Sequence, residues 1–248
     1  MLRKLISTIL IFELLLSFAP IIGRANATSL TTPDKFKNMV LIPAGTFRAG
    51  SDTTFAKIAP AQDIYLDSFY IDKHEVTQDQ FSDVMNSNPS KFRSPNLPVN
   101  AVSWEEANQY CRKINKRLPR EMEWEKAARA GSSTRFYWGN KFEGHFAWVS
   151  ENSDGRPHPV GLKSPNSYGL HDMVGNVWEW IADWYDDNYY QKMPGSNPGG
   201  PSKGEYKVVR GGSWDTILPL LGVAYRTRAH PTVQFAFFGF RCAADPEQ

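Results

Sequence analysis

The chain is predicted to fold as a single α+β domain, rich in loops, with short helices and many brief strands. Three observations predict this. Two capping boxes, Thr77 with Gln80 and Ser103 with Glu106, each open a short stretch of helical apolar spacing. Short apolar runs bounded by Gly, Pro and Asn make up much of the remainder. Eight Trp and fifteen Phe among 248 residues let a domain with little regular structure still build a core, because each ring buries a large area.

The N-terminus comes first in the chain and reads as an export signal. Arg3 and Lys4 precede an apolar stretch from Leu5 to Ile22, and Ala25-Asn-Ala27 supplies the small-x-small pattern of a cleavage site. The competing reading is a membrane anchor. Glu13 and Pro20 inside the stretch, and the small-residue site after it, favour cleavage. No Cys follows the apolar run, which excludes a lipoprotein anchor. The expected organisation is therefore a signal at 1–27, a loose polar arm at 28–38 and one domain over 39–248. The expected location is periplasmic or secreted, with no membrane span after signal cleavage.

Met39-Val-Leu-Ile-Pro-Ala-Gly-Thr-Phe-Arg-Ala-Gly50 predicts two short strands around a Pro-Ala-Gly turn. Ile64–Asp72 predicts one strand of imperfect alternation. Phe81, Val84 and Met85 follow the first capping box at helical spacing. Trp104, Ala107, Cys111 and Ile114 share one face of the second helix, which turns Cys111 towards the core. A third helix follows Pro119, with Glu121, Glu123 and Glu125 near its positive end and Gly131 at its stop. Beyond Ala130 the chain reads mostly as loop, interrupted by Val208-Val209 and Phe237–Phe240.

The whole chain carries 28 basic and 26 acidic residues; without the three basic and one acidic residue of the first 27, each sign counts 25. So balanced a surface excludes nucleic acid as the expected partner. The five histidines (His74, His145, His158, His171 and His230) lack ligand spacing, and no nucleophile elbow, phosphate loop or dinucleotide fingerprint is present. Export would place Cys111 and Cys242 in an oxidising compartment, where a bond between them is the expected state and two buried thiols the alternative.

Five longer strings remain. They are Pro98-Val-Asn-Ala-Val-Ser-Trp-Glu-Glu-Ala107, Lys116-Arg-Leu-Pro-Arg-Glu-Met-Glu-Trp-Glu-Lys-Ala-Ala-Arg-Ala-Gly131, Tyr168-Gly-Leu-His-Asp-Met-Val-Gly-Asn-Val-Trp-Glu-Trp180, Arg210-Gly-Gly-Ser-Trp214 and Gly239-Phe-Arg-Cys-Ala243. In this order they resemble the formylglycine-generating enzyme family, also called sulfatase-modifying factors, over roughly Met39 to Asp245. The resemblance implies a variant of the C-type lectin fold with little regular secondary structure. It also implies a disulfide between Cys111 and Cys242, and a structural calcium ion. Asp172 and Glu179 would supply side-chain oxygens to that ion, and Gly175 and Val177 carbonyls, the hard donors calcium takes.

The family's enzymes convert a cysteine of a client sulfatase to formylglycine with oxygen and copper, using two thiols between the Gly-Gly-Ser and Gly-Phe-Arg motifs. Residues 214–238 of this chain contain no cysteine, and copper(I) needs soft ligands, so no copper is expected. Ser213, Trp214, Tyr225 and Arg228 are the candidate wall of a pocket. Ile217–Leu221 and Phe235–Phe238 are either an exposed apolar patch of the kind that marks a binding site, or core. The expected role is a maturation factor or enzyme acting on a small molecule or peptide. The alternative is a non-catalytic module that binds a ligand or protein through residues 214–238.

Overall fold

The computed structural model describes residues 36–52 and 60–246. The expected signal at 1–27, and the arm as far as residue 35, lie outside the described residues. The last part of that arm is packed: Phe36 is buried and stacks on Tyr70 at 4.1 Å, and Asn38 accepts the Lys73 N–H. Among the described residues no helix is long and apolar enough to cross a membrane.

Helix α1 (Gln78–Met85) starts where its capping box predicts. The Thr77 hydroxyl accepts the Gln80 N–H, the Gln80 side chain accepts the Thr77 N–H, and the helix stops at Asn86 in the left-handed region. Helix α2 (Trp104–Lys113) is capped in the same reciprocal way by Ser103 and Glu106, and Cys111 does face the core. Helix α3 (Glu121–Arg129) ends at Ala130 with φ 46°. Every residue of α3 is buried, its charged ones included.

Three sheets surround these helices. Strands β1 (Met39–Ile42) and β4 (Phe69–Asp72) pair antiparallel, with β9 (Ala243–Ala244) on the far side of β4. Strands β2 (Gly45–Ala49) and β3 (Gln62–Leu66) form a second, two-stranded sheet. The third has the order β7 (Arg226–Ala229), β6 (Lys207–Arg210), β5 (Trp178–Trp184), β8 (Phe238–Gly239), with β8 parallel to β5. A short helix α4 (Tyr189–Lys192) and a 3-10 turn at Leu218–Leu220 complete the elements.

Two expectations need correction. Ile64–Asp72 is not one strand but the end of β3 followed by β4, in different sheets. Ile64 and Leu66 are buried, then Phe69 and Ile71, so the buried face changes phase at Asp67-Ser68. A continuous strand of period two cannot do that. The region after Ala130 is mostly loop, as expected, but it also contains β5, which lay outside the expected apolar runs. Strand β5 is buried along nearly its whole length in the middle of its sheet, so it shows no inside-outside alternation to read.

The core has two lobes. One gathers Ile42, Ile64, Ile71, Trp124, Met173, Ile181 and Leu221; the other gathers Phe81, Val99, Cys111, Trp180, Phe240 and Cys242. Strand β5 contributes to both, through Ile181 and Trp180 respectively.

Candidate functional site

The segment Asp172–Glu179 enters β5 through a tight knot in which Asp172, Gly175 and Asn176 all have positive φ. Gly175 has no alternative, since a Cβ there would lie 2.2 Å from the Trp148 carbonyl oxygen at a φ of +86°. Asn176 is the hub of the knot. Its side-chain oxygen accepts the His158 N–H, its amide donates to Glu75 Oε2 at 2.6 Å, and its carbonyl accepts the Trp214 N–H. Glu75 also accepts the Val177 N–H at 3.1 Å.

Three carboxylates are thus buried near one guanidinium. Burial, then the neighbouring Asp172 and Glu179, push the Glu75 carboxyl well above its ordinary value, and burial likewise raises Asp172. The expected calcium set fits this arrangement in part. Asp172 Oδ2 accepts the Gly161 N–H, whereas its Oδ1 is buried without a partner, the kind of oxygen a hard cation would take. Glu179 does not fit as it stands. Its Oε1 accepts from Arg241 Nε and Nη2, and its Oε2 from Arg241 Nε and Trp124 Nε1, all at 2.8–3.0 Å. Among the described residues no three His, Cys, Asp or Glu side chains converge as a metal-ligand group.

Cys111 and Cys242 form a disulfide with Cα atoms 5.7 Å apart and a sequence separation of 131. Both are fully buried, and neither of the chain's two cysteines is free. The bridge ties α2 to the segment between β8 and β9.

The four candidate pocket residues do not line one cavity. Ser213 is buried in a turn, its hydroxyl 3.0 Å from that of Thr216. Trp214 lies edge-on to Phe92, its indole N–H buried without an acceptor. Arg228 is exposed on β7, where it donates to Asp187 and covers the Tyr185 and Tyr206 rings. Tyr225 borders a cavity of about 90 Å³.

Pro219, Leu221, Gly222, Ala224 and Tyr225 form one wall of that cavity, and Arg129, Thr134, Arg135 and Asn140 contribute to the other. Arg135 joins the two walls by donating to the Leu218 and Leu221 carbonyls. Beneath it runs a buried ionic ladder. Arg129 and Arg210 both reach Glu125, and Arg226 holds both oxygens of Glu121 at 2.7 and 2.9 Å. The arginines hold the Glu121 carboxyl below its ordinary value in spite of the burial that opposes them.

The apolar runs divide between surface and core. Ile217, Leu220 and Phe235 are 52%, 42% and 49% exposed, whereas Leu221 and Phe238 are buried. The exposed residues sit at separate places: Ile217 precedes the 3-10 turn and Leu220 ends it, and the Phe235 carbonyl accepts the Ala101 N–H.

A family model described as the sulfatase-modifying factor enzyme 1-like domain matches residues 25–246. The formylglycine-generating enzyme of Streptomyces coelicolor is 41% identical over 170 residues, 62% of this chain and 54% of that protein. The chain therefore spans about half the length of that curated relative. Among solved structures, Treponema denticola variable protein 1 superposes with a TM-score of 0.77 at 28% identity, over 84% of this chain and 95% of its own. PvdO from Pseudomonas aeruginosa gives a TM-score of 0.73 at 26% identity, over 84% and 94%.

Proposed function

The chain belongs to the sulfatase-modifying factor family, and from that premise we propose that it is an exported member that binds a small molecule or peptide and serves its maturation without copper–thiolate chemistry. The observation that carries this reading is the sealed bridge. The chain's two cysteines are bonded to each other and fully buried, and residues 214–238 supply no other thiol. From the segment in which the resemblance would place the copper thiols, Ala224 and Tyr225 line a cavity to which residues 129–140 contribute polar groups. Export is supported by the basic and apolar start and by a disulfide suited to an oxidising compartment.

The test is aerobic incubation of a cysteine-containing sulfatase peptide with the protein and copper, read by mass. The peptide is expected to emerge unchanged, and a formylglycine product would sink the reading. In the same assay, the Streptomyces enzyme serves as the positive control.

A second reading is a non-catalytic module that recognises its ligand through residues 214–238. The exposed Ile217 and Leu220, together at the 3-10 turn, favour it. It separates from the first by turnover: a ligand returned chemically intact after stoichiometric binding at this surface supports the module, and a modified product supports the maturation factor. Under either reading a structural calcium ion would be held by Asp172 with the Gly175 and Val177 carbonyls, would gain Glu179 only if that carboxylate gave up contacts to Arg241, and would supply charge balance to the buried carboxylates.

A further inference from the structure

A second cleft, separate from the cavity at Tyr225, is lined by residues that neither reading uses. It lies between the loop after α1 and the turn before the Asp172 knot, has a volume of about 330 Å³, and is lined by Phe92, Arg93, Ser94, Leu97 and residues 156–159. Arg93 and Arg156 both line it, one from each side. No acidic residue does. Among the described residues neither guanidinium has an ion-pair or hydrogen-bond partner, although elsewhere in the molecule Arg117, Arg129, Arg210, Arg226, Arg228 and Arg241 all hold carboxylates.

The walls are built to stay in place. The buried Gln78 donates to the Phe92 carbonyl at 2.7 Å and accepts the Ser94 N–H at 3.2 Å, which pins the first loop to α1. On the other side His158 donates its N–H to Asn176, and its ring nitrogen lies 2.8 Å from the Ser153 carbonyl. The imidazole is stacked on Trp148 at 3.7 Å, and Pro157 and Pro159 restrict the backbone on either side of it. The Val160 N–H donates to the Asn96 carbonyl, joining the two walls directly. The Phe92 ring is braced from behind by Trp214.

Arg93 and Arg156 are both exposed at this concavity, and two like charges there without counter-ions repel each other. That arrangement is favourable once an anion bridges them, since guanidinium groups bind planar and tetrahedral oxyanions through paired N–H donors. Phe92, Leu97 and the prolines add an apolar surface on which a ring can lie. We propose that this cleft is a binding site for a small molecule that carries a phosphate or carboxylate on an aromatic body, with Arg93 and Arg156 on the oxyanion and Phe92 against the ring. The site stands whether or not the cavity at Tyr225 binds the family ligand.

The test is titration of the full chain with phenyl phosphate, benzoate and inorganic phosphate, followed by calorimetry and by tryptophan fluorescence, since Trp148 and Trp214 flank the cleft. Phenyl phosphate is expected to bind saturably and at least tenfold more tightly than inorganic phosphate. Arg93→Ala and Arg156→Ala should each weaken it roughly tenfold or more, as loss of a charged hydrogen-bond donor does. Phe92→Ala should erase the preference for phenyl phosphate over inorganic phosphate. Arg112→Ala, an exposed charge on α2, controls for net charge and should change nothing. Equal affinity for phenyl and inorganic phosphate, or binding undiminished in both arginine variants, overturns the proposal. Thermal unfolding of each variant, unchanged from wild type, shows that a loss of binding is not a loss of fold.

Discussion

Arg241 grips Glu179 through both carboxylate oxygens, with neither side chain exposed at all. The contact links β5 to the segment that follows β8, and the same guanidinium also donates to the carbonyls of Asp72, Lys73 and His171. One side chain therefore holds together the first sheet, the Asp172 knot and the central strand. Its positive charge also faces Glu75 and Asp172, so it acts on all three buried acids of the cluster.

The two partners should not be equally costly to lose. Arg241→Met strips three buried carboxylates of their counter-charge, and about 3–5 kcal/mol of stability should go with it. Glu179→Gln leaves Arg241 with Glu75 and Asp172 still nearby and should cost less. Urea unfolding at neutral pH ranks them; an Arg241→Met variant as stable as Glu179→Gln contradicts this account of the cluster.

Calcium should interact with that cluster through Asp172. Melting temperature is expected to rise in millimolar calcium relative to a chelator, by an amount set by mass action, about 2.7 kcal/mol at a hundredfold excess over Kd. Asp172→Asn should abolish the rise, because the unpartnered Oδ1 is the free donor. Calcium should also stabilise Arg241→Met more than the wild type, since it then replaces the missing positive charge. Identical melting of wild type with and without calcium counts against the ion.

What sequence could tell about this fold depended on the distance over which each signal acts. The caps of α1 and α2 were legible because Thr77 and Gln80, or Ser103 and Glu106, are three residues apart and carry their own partners. The Cys111–Cys242 pair was legible despite its separation because only two cysteines exist. Glu121 and Glu125 were not. Their spacing reads as acidic residues favouring a helix N-terminus, yet they are buried against Arg226 and Arg210, 105 and 85 residues away. Nothing local distinguishes such a pair from a solvated face. The surroundings of Ser213, Trp214, Tyr225 and Arg228 were illegible for the same reason: they are close in sequence, but each meets a different neighbour.

The disulfide should matter mainly through the unfolded chain. Opening a loop of 131 residues frees a denatured ensemble that the bond had restricted, worth about 4–5 kcal/mol in the chain-entropy description. A Cys111→Ala, Cys242→Ala double variant should lose that much in denaturant unfolding without changing calcium binding. A loss below about 1 kcal/mol would mean that the reduced chain keeps its two ends together by other means.

Asp183 gives the molecule a pH dependence of definite sign. It is buried on β5, accepts the Glu121 N–H at the start of α3, and has Gly200 packed so closely that a Cβ there would meet its Oδ1 at 2.5 Å. Burial, then the negative charge of Glu121, raise its pKa from 3.8 to about 7, with Glu123 adding to the rise and Arg120 opposing it. The folded chain thus holds a proton that the unfolded chain releases between about pH 4 and 7, so this group's contribution to stability falls across that window and is level above it. The difference amounts to roughly 4 kcal/mol at most. Lys207 faces the same carboxyl from β6 and acts in another window: burial lowers its pKa to about 8, so its contribution rises with pH between about 8 and 10.5. Asp183→Asn keeps an acceptor for the Glu121 N–H while removing the titration. It should leave stability near pH 4 almost unchanged and raise it at pH 7.5, as measured by urea unfolding across the range. A variant whose stability tracks the wild type at every pH would show that Asp183 ionises in the folded protein as freely as in the unfolded one.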